Sequence, residues 1–246
     1  MKGRSRAMDK RELLDRYLNL GDESDYAEAK PLYEQTLAGR ADARLLVDYG
    51  YLLYAHARNE IRRALEQYER AIKVDPDYDK AHYHLIGARA ALHESEGPVA
   101  SYEQRLAENP GSVREHRFLA HAYLHAGACK KAHRVVTAGL ELAPDDVVLL
   151  WARGEAKAWL GDPDGALADW RHAVQLDPED IGAMYSSAFL LEREGRLAEA
   201  AETWREIIDW SETRGLTLEA VWPKQELHRV SAAIDDAQAR GNGPST

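Results

Sequence analysis

The chain has 246 residues, 45% of them hydrophobic and 30% charged, and carries a net charge of −10. That acidity excludes broad non-specific affinity for nucleic acid, which needs a basic footprint, and docking on anionic lipid. One cysteine, Cys129, excludes an intramolecular disulfide, and no stretch reaches the ~20 apolar residues of a membrane helix; the expected compartment is the cytoplasm.

Residues 1–7 are expected to be a disordered leader: they are basic, lack the apolar run of a signal peptide, and precede a second methionine, Met8, that offers an alternative start. A divergent helical hairpin is predicted over 8–44, from helices 8–20 and 26–38. From there a regular pattern takes over. Pro76, Pro110, Pro144 and Pro178 are each 34 residues apart (110−76, 144−110, 178−144). Other residue types recur in phase with them. Twelve residues before each proline stand Ala64, Pro98, Ala132 and Ala166; eight before stand Tyr68, Tyr102, Val136 and Trp170. Five before stand Ala71, Arg105, Gly139 and Ala173, and seventeen before stand Asn59, His93, Gly127 and Gly161. The frame continues to Gly195, Ala200 and Trp204, with Glu212 in the proline slot.

A period of this length reads as helix, tight turn, helix, stop. Gly127, Gly161 and Gly195 fit a C-cap at positive φ. The small residue of the second helix allows close approach, the aromatic one turn later fills the same face, and the proline ends the unit. The predicted pairs are 43–57 with 60–73, 79–92 with 97–108, 113–126 with 129–141, 147–160 with 163–175, and 181–194 with 197–213. Pro98 is expected in the first turn of its helix. A thirteenth helix, 217–239, has Leu218, Val221, Trp222, Leu227, Val230 and Ile234 on one side and reads as a cap, with Pro223 kinking or restarting it. The tail, 241–246, is expected to be disordered.

The stretches RRALEQYERAIKVDP (62–76), GACKKAHRVVTAGLELAP (127–144) and RGEAKAWLGDPDGALADWRHAVQLDP (153–178) carry a closer match. In the last, Gly154, Gly161, Ala166, Trp170, Ala173 and Pro178 resemble the preferred types of the tetratricopeptide repeat family. The resemblance covers residues 45–212 well and 8–44 weakly. It implies an all-α, right-handed α-solenoid of about six hairpins plus a C-terminal capping helix. Its array would span 45–214 in units 45–78, 79–112, 113–146, 147–180 and 181–214, followed by the cap at 215–240.

The resemblance also implies that the first helix of each pair lines a concave groove. Positions 27 before each proline slot would then face it: Tyr49, Tyr83, Arg117, Trp151 and Tyr185. Four residues on come Leu53, Gly87, His121, Glu155 and Phe189, and after four more Ala57, Ala91, His125, Trp159 and Arg193. Lys80, His84, Arg114 and Phe118 lie beside them. The expected site is aromatic and locally basic. Tyr83, Trp151 and Tyr185 would grip apolar side chains, and Lys80, Arg114 and Arg117 would meet carboxylates of an acidic segment. The alternative for any one aromatic is packing between neighbouring first helices. The family's chaperone-tail clamp uses a Lys/Asn/Asn/Lys/Arg set; the matching slots here hold Tyr49, Leu53, Gly50, Lys80 and His84, of which only Lys80 fits.

The leading expectation is therefore a scaffold without catalytic activity or cofactor, which holds an extended segment or helix of a partner protein. A second reading comes from His121 and His125, whose i, i+4 spacing lets two imidazoles share a metal. With His84 approaching and Glu155 as a further donor, they would make an unusual catalytic or metal-binding solenoid. Against it stands the absence of HExxH and of a paired cysteine motif. A third reading, RNA binding by a helical repeat, is opposed by the net charge. Self-association stays open; the uncapped 8–44 unit and the Trp210/Trp222 region offer apolar patches for a homodimer.

Overall fold

The computed structural model describes residues 9–39, 42–179, 181–216 and 218–241. They form twelve α-helices and, among the described residues, no strand, which makes the fold class all-α, a helical-repeat solenoid. The chain divides into two compact units at Glu94/Ser95.

The first unit holds α1 (Lys10–Leu20), α2 (Glu23–Gly39), α3 (Ala43–Val74) and α4 (Asp79–Ala91). Asp9 caps α1 by accepting from the backbone N–H groups of Arg11 and Glu12, and Asp42 caps α3 in the same way through Arg44 and Leu45. A core of Leu13, Leu14, Tyr17, Ala29, Tyr33 and Leu52 joins α1 and α2 to the first half of α3. The second half of α3 packs on α4, where Arg89 is held by Glu69 and Glu94, each at 2.7 Å.

The second unit holds α5 (Glu96–Glu108), α6 (Val113–His125), α7 (Cys129–Leu142), α8 (Val147–Leu160), α9 (Pro163–Leu176), α10 (Gly182–Arg193), α11 (Leu197–Thr213) and α12 (Val221–Gly241). Its helices turn where the frame predicts. Gly127, Gly161 and Gly195 take φ of 70°, 86° and 73°, the left-handed region that costs glycine least. His93, in the same slot of the first unit, takes φ 62° without being glycine. Pro98 and Pro163 stand in first turns, where a missing N–H leaves no bond unmade. The hairpin α8–α9 shows why the small residue matters. The indole of Trp170 packs against α8 at Gly154 and donates to the carbonyl of Trp151 at 3.0 Å. A Cβ on Gly154 would sit 2.3 Å from its Nε1.

The hairpin predicted from 43–57 and 60–73 is instead one continuous helix of 32 residues, α3. Its turn slot holds Asn59 rather than glycine, with helix-compatible Arg58 and Glu60 on either side, so nothing local forces a break. The cap starts at Val221, and Pro223 stands in its first turn rather than kinking it. The predicted leader and tail lie outside the described residues, except Gly241, which ends α12. Among the described residues no helix is long and apolar enough to cross a membrane.

Candidate protein-binding face

In the second unit the first helices α6, α8 and α10 lie side by side, α8 touching both neighbours. Their predicted groove positions do meet. The imidazole of His121 lies 6.0 Å from the Trp151 ring. Trp151 donates from Nε1 to the Ser186 hydroxyl of α10 at 3.2 Å. Ser186 also hydrogen-bonds Glu155, whose carboxyl is nonetheless pushed above its usual range by burial. Further along, the Arg193 guanidinium lies over the Trp159 ring at 5.8 Å and donates to the Ala158 carbonyl at 2.9 Å. Trp159 is 68% exposed and Phe189 46%.

The other end of this face is covered by the protein itself. Trp222 of α12 stacks on Tyr185 at 5.7 Å and meets Phe189 in a tilted contact at the same separation. All three rings meet the fully buried Trp204 of α11, whose indole donates to Glu192 at 2.7 Å. The sequence reading placed Trp222 in a dimer patch; its ring packs within its own unit.

Two predicted groove residues are corrected. Phe118 is completely buried, between the Tyr102 ring at 5.4 Å and the Arg105 guanidinium at 5.6 Å. It lies one residue past the groove position, a rotation of about 100° that turns it into the core. Arg117 is spent internally. Its Nε reaches both carboxylate oxygens of Asp146, at 3.0 and 2.8 Å, and its Nη2 closes a second contact. Asp146 is buried and also caps α8, accepting from Leu149 N–H at 2.9 Å. The face is thus aromatic, but its centre is not basic. Arg114 is half-buried on α6.

The remaining predicted residues belong to the first unit. Tyr49 stacks on Tyr33 at 5.6 Å and donates to Glu34 at 2.8 Å; burial and that carboxylate push its phenol up to about 12. Lys80 and His84 are exposed on α4, and Tyr83 is half-buried. The His84 ring stacks on Tyr68 at 5.3 Å.

His121 and His125 do come together, ring centroids 4.7 Å apart. Among the described residues, however, the grouping of three donors within mutual reach lies elsewhere: Glu23, His56 and Glu60, within 4.8 Å of one another. Arg63 already supplies a cation there, 3.1 Å from Glu23 and 2.5 Å from Glu60, and Tyr26 stacks on His56 at 3.8 Å. Burial, reinforced by His125, holds the His121 imidazole down to about 4. An unfolded histidine titrates near 6.5. Between those values the unfolded chain binds a proton that the folded chain refuses, so this group removes stability as pH falls from about 6.5 to about 4. Glu155, raised by burial, works in the opposite direction. Urea titrations of wild type and His121→Phe isolate the histidine: between pH 7 and pH 4 wild type should lose roughly 2 kcal/mol more than the variant. Parallel pH profiles would refute the assignment.

Sequence reasoning placed Trp159 and Arg193 in the right frame without putting them in the site. It missed Asp146, although an acidic residue two after Pro144 is a ready N-cap.

Comparison with known proteins agrees with this geometry. A model described as TPR repeat matches residues 55–85, and one described as tetratricopeptide repeat matches 152–211. The Meiotically up-regulated gene 93 protein of Schizosaccharomyces pombe is 38% identical over 69 residues, which is 28% of this chain and 18% of that protein. The chain thus spans under a fifth of that relative's length. Among solved structures, TTC0263, a thermophilic TPR protein of Thermus thermophilus, has a TM-score of 0.51 at 21% identity, over 85% of this chain and 98% of that one. A tetratricopeptide repeat protein from Parabacteroides merdae has a TM-score of 0.48 at 15% identity, over 90% and 93%. Repeats of this kind are, in general, non-catalytic scaffolds for other proteins. With two repeat models matched, a 34-residue frame and the helical pairs that realise it, the chain carries tetratricopeptide repeats.

Proposed function

We propose that this scaffold holds an apolar segment of a partner protein against the α6–α8–α10 face of its second unit. The observation that carries the reading is the exposure of two large aromatic side chains there, Trp159 at 68% and Phe189, which keeps 46% of its surface in solvent although it also packs on Trp204 and Trp222, next to a half-buried Glu155. Exposed aromatics on rigid helices bind with little entropic cost. An acidic guest loses its main support once Arg117 is engaged by Asp146. The lone Cys129, which is unpaired, favours a reducing compartment, and we read the protein as cytoplasmic.

Affinity capture with wild type, compared with a Trp159→Ala/Phe189→Ala double variant, tests this. Partners retained only by wild type would be produced separately and titrated. The double variant should bind them at least about thirtyfold more weakly, as expected for aromatic anchors, with unchanged far-UV dichroism. Undiminished affinity would move the binding face elsewhere.

A further inference from the structure

The first unit contains two surfaces that should be in contact and are not. Asn59 stands in the slot where His93, Gly127, Gly161 and Gly195 all turn the chain at positive φ, yet α3 runs straight through it. Asparagine tolerates the left-handed conformation better than most residues, so the turn is available to it.

The packing positions after this slot are left half-finished. In the later repeats they are closed: Ala132 and Val136 are fully buried, Ala166, Trp170 and Ala173 are at most 2% exposed, and Ala200, Trp204 and Ile207 are fully buried. The equivalents on α3, Ala64, Tyr68 and Ala71, are only partly covered. The first half of α3 is apolar over most of its surface, with Arg44, Asp48 and His56 the charged or titratable exceptions, a pattern that suits a helix covered on more than one side. One side meets α1 and α2; the other leaves Leu46 at 52%, Val47 at 55%, Tyr51 at 59% and Tyr54 at 55% exposure. Tyr51 occupies the slot of Arg153, which in its own hairpin pairs with Asp169 at 2.7 Å. While α3 is straight, residues 60–73 cannot fold back on 43–57, because a helix advances about 1.5 Å per residue away from them.

We propose that α3 is the opened arm of a repeat hairpin, and that a second copy of the chain completes it: residues 60–73 of each chain pack on residues 43–57 of the other. The occupant follows from the complementarity, since the missing surface of each half is encoded by the other half of the same helix. The contact is two-fold and reciprocal, a domain swap with Asn59 at its hinge. It uses none of the residues of the binding face on the second unit.

The test is a Tyr51→Cys/Gln67→Cys variant of the full chain in a Cys129→Ser background. These two positions are the frame equivalents of Arg153 and Asp169. Light scattering should give a dimer for wild type, and mild oxidation should link the variant into a covalent dimer. The Asn59→Gly variant, which favours the turn, should weaken dimerisation at least about tenfold. Three results would each overturn the proposal: a monomeric wild type, a disulfide formed within one chain, or a dimer that leaves the two cysteines unlinked.

Discussion

Trp204→Ala should cost about 4 kcal/mol, the largest loss expected from a single side chain here. The indole is fully buried, and Tyr185, Phe189 and Trp222 all pack against it, with ring centroids 5.4 to 5.8 Å away. Truncation leaves a cavity larger than its surroundings can close, and it strands the Glu192 oxygen that accepts from Nε1. The loss should be local, because repeat arrays carry their stability in contacts between neighbours. The cap α12 is held partly through Trp222, so it should become sensitive to protease while α6–α9 keep their protection in hydrogen exchange. Trp204→Phe separates the two causes: it keeps most of the ring contact, loses the hydrogen bond, and should cost about 1 kcal/mol. Urea unfolding of both variants decides the matter. A near-neutral Trp204→Ala would mean that the aromatic cluster does not hold the cap.

The second large effect is expected at Asp146. This buried carboxylate receives the Arg117 guanidinium and caps α8 through Leu149 N–H. Asp146→Ala removes both and takes the two-oxygen carboxylate partner away from a part-buried guanidinium, a loss of about 3 kcal/mol. Asp146→Ser keeps a cap, as Ser112 does for α6 by accepting from Glu115 N–H, and should recover about 1 kcal/mol. In a double-mutant cycle Arg117→Ala and Asp146→Ala should be strongly non-additive, since each removes the same pair. If Arg117→Ala leaves stability intact, the guanidinium is available to a partner, as the sequence reading expected.

These two sites mark where sequence reasoning stops. Gly161 ends α8 and Pro163 opens α9 for reasons contained in their own backbones, so the frame finds them directly. Ala166 and Trp170 are legible through their spacing, because positions four apart share a helix face. Phe118 misled because neighbouring helix positions diverge by about 100° and one of them turns inward. Arg117 misled because its partner comes from 29 residues away, beyond any local pattern.

The sequence alone determined the repeat period and the helix ends at Gly127, Gly161 and Gly195, since each rests on backbone sterics or short-range periodicity, and its motif residues carried the resemblance to tetratricopeptide repeats. The tertiary structure decided the rest. It alone paired Arg117 with Asp146, laid Trp222 over Tyr185 and Phe189, and carried α3 straight through Asn59. In the first two cases the energy comes from side chains far apart in the chain. At Asn59 the residue permits helix and turn alike, so the choice passes to whatever packs against the two halves of α3.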